Sequence, residues 1–237
     1  MSLPVAILAG GLATRLRPIT ERIPKSLVDV AGRPFAEHQV ELLRRNGITD
    51  ILFLVGHLGE MVQETLGDGS RWGVTLRYVF DGARQLGTGG AIRRAFHALG
   101  DPFFVLYGDS YLECDYRAID RAFLASGRSG LMTVCRNDDQ WDRSNVRFED
   151  GRIMAYDKEG RTPAMHHIDF GLGAFRKSAF APHADGDAFD LATVYRRLLG
   201  DGDLAGFDVG GRFYEIGSPS GLEETRAHLA GKGSLTP

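Results

Sequence analysis

The chain has 237 residues, enough to bury a sizeable core as one large α/β domain or two small ones, and a single domain over 1–237 is expected. With 43% hydrophobic and 25% charged residues it fits neither a disordered nor a membrane class. A net charge of −3 argues against broad nucleic-acid binding, which needs a surplus of Lys and Arg on one face. The two cysteines, Cys114 and Cys135, have no CxxC spacing, so neither a disulfide framework nor a zinc site is predicted. The opening MSLPVAILAGG has no basic segment, and its apolar run is too short for a signal peptide or a membrane span. A cytoplasmic protein without a membrane partner is expected.

In chain order, the apolar run Leu3 to Ala9, bounded by Pro4 and by Gly10-Gly11, predicts a fully buried strand. Residues 34–46 carry Pro at a helix start, apolar positions at helical spacing and Gly47 as a stop, which predicts a helix. A strand at 51–55, helix 59–66, strand 74–80, helix 88–98 and strand 103–107 follow, separated by Gly, Asp or Pro. This alternation predicts a Rossmann-like, doubly wound α/β fold with a mostly parallel sheet and helices on both faces. Ligands of such sheets sit beyond the carboxyl ends of the strands, where the Gly-rich loops fall. After residue 128 shorter strands are predicted at 130–134, 145–149, 152–157 and 168–175, with Asp150-Gly151 as a tight hairpin. Helices at 188–199 and 219–230 flank a strand near 213–216. Residues 1–128 thus read as a nucleotide-binding half and 129–237 as an acceptor half.

The loop after the first strand, LAGGLATRLRP at 8–18, has the order that a triphosphate requires. Glycines bring backbone N–H donors close to phosphate oxygens, and Arg15 supplies a forked cation, with Lys25 of IPKSL as a second charge. Alone, Gly-Gly followed by an arginine is an ordinary βα turn. Asp109, in Gly108-Asp109-Ser110, sits at the carboxyl end of a buried strand, where a carboxylate suits Mg²⁺, although GDS is also good turn chemistry.

Taken together, Leu8 to Leu16, Pro24 to Leu27, Gly32 to Pro34, LGTGGAI at 86–92, Gly108-Asp109 and EIGSP at 215–219 resemble the signature of sugar-nucleotide pyrophosphorylases. The chain looks closest to a short bacterial branch that includes mannose-1-phosphate and heptose-1-phosphate guanylyltransferases. Ala13 stands where that family usually has Gly, a change that disfavours positive φ. The β-helix domain that some relatives append is expected to be absent.

The resemblance implies transfer of a nucleoside monophosphate from an NTP to a sugar 1-phosphate with Mg²⁺ as cofactor and release of pyrophosphate. Arg15, Lys25 and Asp109 are the implied catalytic residues. Leu8, Ala9, Gly10, Gly11, Thr14, Asp81, Gly87 and Thr88 are implied to bind nucleotide. It makes Glu215, in place of the usual Asp, a second metal ligand beside Asp109. It places Gly108, Asn145, Asp157, Lys158 and Asp169 at the sugar phosphate, which Lys158 best serves as a cation. The base-reading segment falls at Asp81 to Thr88. A carboxylate only accepts hydrogen bonds and guanine offers two adjacent donors, so Asp81 favours GTP, although it also suits a turn cap before Gly82. Gln85 keeps UTP open, CTP use and a silent nucleotide-sugar-binding subunit are further alternatives, and a homo-oligomer is left open. The loop GGLATR does not fit the GxGxxG of a dinucleotide-binding oxidoreductase. His166-His167 are expected to line a pocket or the surface, and Trp72, Trp141 and Phe213 to pack in the core or against helices. Arg93-Arg94 are expected to form a solvated helix face.

Overall fold

The computed structural model describes residues 2–82 and 84–233. The chain forms β1 (Val5–Ala9), a small ribbon of β2 (Asp29–Val30) and β3 (Arg33–Pro34), α1 (Phe35–Arg45), β4 (Asp50–Val55), α2 (Gly59–Leu66) and β5 (Thr75–Phe80). Next come α3 (Gly87–Arg94), β6 (Phe103–Tyr107), β7 (Ser110–Tyr111), α4 (Tyr116–Ser126), β8 (Gly130–Arg136), β9 (Val146–Glu149) and β10 (Arg152–Tyr156). The last elements are β11 (His167–Phe175), α5 (Leu191–Gly200), β12 (Leu204–Asp208), β13 (Tyr214–Glu215) and α6 (Pro219–Gly233).

The expected α/β architecture is present. The first half of the chain forms a parallel run in the order β6-β1-β4-β5, because every connection there is a helical crossover. β11 joins the halves: it runs antiparallel to β6 on one side and to β8 on the other, and β12 adds parallel to β8. Strand alternation sends Val5 and Ile7 of β1 into a core beneath α1, α2 and α4, and Ala6 into a core beneath α3 and α5, so both faces are covered. A third cluster joins Leu16, Val28, Phe35, Tyr111, Ile216 and Leu222, and it ties the segment after the glycine loop to α6.

Helix α4, strand β12 and the two-residue strands β2, β3 and β7 are absent from the sequence reading. Helix α4 had a usable signal: Tyr116, Ile119 and Phe123 share one buried face, the Asp115 carboxylate caps the Ala118 N–H at 2.9 Å, and Gly127 takes the left-handed conformation after it. Strand β12 gave little signal, since Gly206 interrupts its apolar pattern. A side chain there would collide with Phe148 and Ile153. The helix expected at 88–98 ends at Arg94 and tightens into a 3₁₀ turn over Ala95–His97. The first strand begins at Val5 and not at Leu3, while the Pro4 carbonyl still accepts the Phe104 N–H. Asp150 and Gly151 both have positive φ, as the tight β9–β10 hairpin requires.

Phe123 is fully buried under the sheet. Phe123→Ala is expected to lower unfolding free energy by about 3–5 kcal/mol, read from urea denaturation. A loss below about 1 kcal/mol would mean that α4 does not anchor this face.

Candidate active site

The site is built at the carboxyl ends of β1, β5 and β6. A cavity of about 350 Å³ opens there, lined by Leu8 to Leu12, Lys25, Asp81, Gln85, Gly87, Thr88, Tyr107, Gly108, Asp109 and Asp190 among others. Its size suits a small-molecule ligand.

Close approach of the strand ends makes the cavity possible. A Cβ on Gly108 would lie 2.3 Å from the Leu8 carbonyl oxygen, so only glycine lets β6 pass β1 there. A Cβ on Gly10 would lie 2.9 Å from Asp81 Oδ2, and the glycine loop therefore rests directly on the Asp81 carboxylate. Ala13 adopts φ 48° and ψ 45°, the left-handed region, at a cost of about 1–2 kcal/mol for an L-residue. Two bonds to its carbonyl hold it there, from the buried Thr20 Oγ1 at 2.8 Å and from the Leu16 N–H at 3.1 Å. Thr20 is a loop-forming residue that the motif reading did not find.

Lys25 Nζ lies 2.7 Å from Asp109 Oδ2, with about a fifth and a quarter of the two side chains exposed. The two therefore form a partly open ion pair on the cavity wall. Arg15 approaches Asp109 beside Gly217. A point one bond off the Gly217 Cα is 2.6 Å from Glu215 Oε2, 3.0 Å from Asp109 Oδ2 and 3.1 Å from Arg15 Nη2, so both carboxylates and the guanidinium converge. Glu215 also accepts from Ser218 Oγ at 2.6 Å and from the Gly217 N–H. Thr14 and Arg15 are exposed and do not line the cavity, whereas Leu8 to Leu12 do.

No group of three or more His, Cys, Asp or Glu side chains is arranged to hold a metal among the described residues. Two converging carboxylates beside a cavity fit Mg²⁺ all the same, because that ion commonly takes one or two protein carboxylates and completes its octahedron with phosphate and water.

Elsewhere on the cavity wall, Asp81 follows β5 and is buried, and burial raises its carboxyl above the usual carboxylate range, partly offset by Arg94. Arg94 Nη1 donates to the Asp81 carbonyl, and Arg93 donates to the His183 carbonyl at 2.8 Å while lying over Phe96. The expected solvated Arg93-Arg94 face is thus corrected: both are half-buried, and Arg94 braces Asp81 of the cavity wall. Gln85, Gly87 and Thr88 line the cavity as expected; Ala83, in the same base-reading segment, lies outside the described residues. The segment 86–90 is laced to 189–191. Gly89 and Gly90 N–H groups donate to the Phe189 carbonyl, and Thr88 Oγ1 accepts from the Leu191 N–H at 2.8 Å. Asp190 enters the cavity through this lacing, a contact that no local motif announces.

Of the residues expected at the sugar phosphate, Asp169 and Lys158 lie next to Tyr107. Asn145 Oδ1 accepts from the Asp169 N–H at 3.0 Å, and Asp169 is near Tyr107 Oη. Burial raises the Asp169 carboxyl, and the Lys158 ammonium offsets part of the rise. Lys158 Nζ lies 5.5 Å from the centre of the Tyr107 ring. Asp157 instead caps its own turn, accepting from the Glu159 and Gly160 N–H groups at 2.8 and 2.9 Å, which holds its carboxyl below the usual range. His166 is exposed beside Asp138, and His167 is half-buried against Phe148. Trp141 does not pack in the core: it is 37% exposed on a loop, edge-on to Phe213.

The Nucleotidyl transferase family profile matches residues 5–145. The chain belongs to that family. It is 30% identical to N-acetylmuramate alpha-1-phosphate uridylyltransferase of Neisseria meningitidis serogroup B, over 95% of this chain and 97% of that one. It is 33% identical to glucose-1-phosphate thymidylyltransferase of Streptomyces antibioticus, over 92% of this chain and 64% of that one. It spans 61% of the mannose-1-phosphate guanyltransferase beta-B of Xenopus laevis at 26% identity. In fold, it superposes on HddC from Yersinia pseudotuberculosis, complexed with GMP-PN, with a TM-score of 0.79 and 24% identity, covering 96% and 99% of the two chains. No helix among the described residues is long and apolar enough to cross a membrane.

The raised Asp81 carboxyl has a pH consequence. Its contribution to stability is full below its unfolded-state pKa and is lost as pH rises through the higher folded-state value. Asp81→Asn is therefore expected to gain on wild type in melting temperature as pH rises from about 4 to about 8. A gap that stays constant over that range would place Asp81 in contact with water.

Proposed function

We propose that this nucleotidyl transferase moves a nucleoside monophosphate from an NTP to a sugar 1-phosphate, giving an NDP-sugar and pyrophosphate, with GTP and a heptose- or mannose-type acceptor favoured. The observation that carries the reading is the Asp109 carboxylate, held by Lys25 against a glycine loop whose cavity ends at Asp81. The loop amides and Lys25 suit a triphosphate, and Asp81 and Gln85 suit a base.

The chemistry asks for little acid or base work. A sugar phosphate, with a second pKa of about 6, is mostly ionised at neutral pH. One of its oxygens attacks the α-phosphorus in line, forming one P–O bond as the bond to pyrophosphate breaks. The residues then have to hold two repelling anions end to end, which Arg15, Lys25 and Lys158 do by charge and the loop by its N–H groups. When bound by Asp109 and Glu215, Mg²⁺ supplies charge neutralisation at the phosphates.

For the base, Asp81 favours the two adjacent donors of guanine. A uridylyltransferase reading is supported by Gln85 on the same wall and by a uridylyltransferase relative matched along 97% of its length.

The test is a panel: Mg²⁺ with each of four NTPs and a set of sugar 1-phosphates, following pyrophosphate. GTP with a mannose- or heptose-type phosphate is expected to turn over fastest; UTP preference would move the assignment to the second reading, and silence throughout would support a binding subunit. Asp109→Ala and Arg15→Ala are each expected to lower kcat by about 10²–10³-fold with unchanged melting temperature. Near-normal turnover in either variant removes it from the mechanism. Asp81→Gln is expected to shift the ratio of GTP to UTP use toward UTP by at least about tenfold. An unchanged ratio would leave Asp81 as a turn residue only.

A further inference from the structure

Asp109 immediately precedes β7, and Glu215 ends the neighbouring strand β13. β7 and β13 pair antiparallel with Ser110 opposite Glu215, and the Ile216 N–H donates to the Asp109 carbonyl at 2.9 Å. This ribbon is only two residues long on each side, too short to fix a carboxylate pair by its own ladder. Two buried polar side chains supply what the ladder lacks.

The first is Gln39 of α1, 1% exposed. Its Nε2 donates to the Ser110 carbonyl at 2.8 Å and to the Tyr107 carbonyl at 3.3 Å, one on each side of Gly108-Asp109. The amide cannot be reversed, since its oxygen would then face two carbonyl oxygens. Its Oε1 is buried without a hydrogen-bond partner, a cost that a plain packing residue would avoid. The second is Thr225 of α6, fully buried, whose Oγ1 donates to the Glu215 carbonyl at 2.9 Å. Each carboxylate segment is thus pinned to a different helix through its main chain, and neither Gln39 nor Thr225 is itself part of the cavity lining.

We infer that Gln39 and Thr225 are positioning residues that set the separation of Asp109 and Glu215 for a divalent cation. This rests on the reading of those two carboxylates as the metal pair. Releasing either strand leaves both carboxylates present but free to drift apart, so the loss falls on metal affinity before it falls on folding. Supporting contacts behind metal ligands commonly change affinity by about 10–100-fold.

The experiment uses the full chain with Mn²⁺ and inorganic pyrophosphate, a ligand common to any choice of base. Free Mn²⁺ is read by electron paramagnetic resonance, and melting temperature is recorded for every variant. Gln39→Met and Thr225→Val, both close in shape to the originals, are expected to weaken Mn²⁺ retention by at least about tenfold, whereas Thr225→Ser keeps it within about twofold of wild type. Wild-type retention in Gln39→Met and Thr225→Val together with loss in Asp109→Asn would overturn the positioning role and leave the metal reading standing. Wild-type retention in Asp109→Asn would overturn the metal reading, and the positioning role with it. If Gln39→Met fails to fold, the Thr225→Val and Thr225→Ser pair decides: equal retention in the two overturns the inference.

Discussion

The structure depends on how closely the ends of β1 and β6 approach each other. Gly108 passes against the Leu8 carbonyl at a distance that no side chain tolerates, and its N–H donates to that same oxygen at 3.1 Å. This contact turns the chain so that Asp109 emerges beside the glycine loop and meets Lys25. Had the strands been set further apart, the same residues would form a turn and a surface lysine. The parallel register of β1 with β4 and β6 puts all these loops at one edge of the sheet, where the ligands of doubly wound folds gather.

The charge distribution follows from that geometry. The cavity holds one cation, Lys25, near the Asp109 end, while Asp81 and Asp190 stand toward the other. A ligand that places anionic phosphates at one end and hydrogen-bond donors at the other satisfies both. Burial makes each unpaired carboxylate costly until its ligand or a neighbouring cation arrives. Arg94 and Lys158 meet part of that cost at Asp81 and Asp169. The glycine loop ends at Ala13, whose left-handed backbone is kept in place by the bonds from Thr20 and Leu16 to its carbonyl.

β11 connects the two halves of the sheet. It lies against β6 on one side and carries Asp169 near Tyr107, the last residue of β6 and part of the cavity wall. Lys158 reaches over the same tyrosine from the segment after β10. The two groups of side chains therefore meet at Tyr107.

The sequence by itself determined the α/β class, the order of most strands and helices, the glycine loop, and the family, because these depend on local periodicity, on turn chemistry and on short motifs. It also named Lys25, Asp81 and Asp109, which the fold brings to one cavity. Helix α4 was legible from its cap and its apolar spacing, whereas β12 was not, since a glycine that serves packing against Phe148 erases its pattern. Only the tertiary structure decided that Arg94 braces the Asp81 carbonyl and that Asp190 lines the cavity. It likewise decided that Gln39 and Thr225 lie behind the carboxylates, more than 70 residues and 10 residues from the carbonyls of Ser110 and Glu215 that they bind. Contacts of this kind join elements distant along the chain through backbone carbonyls, which every residue carries, so no residue type or spacing could mark them in advance.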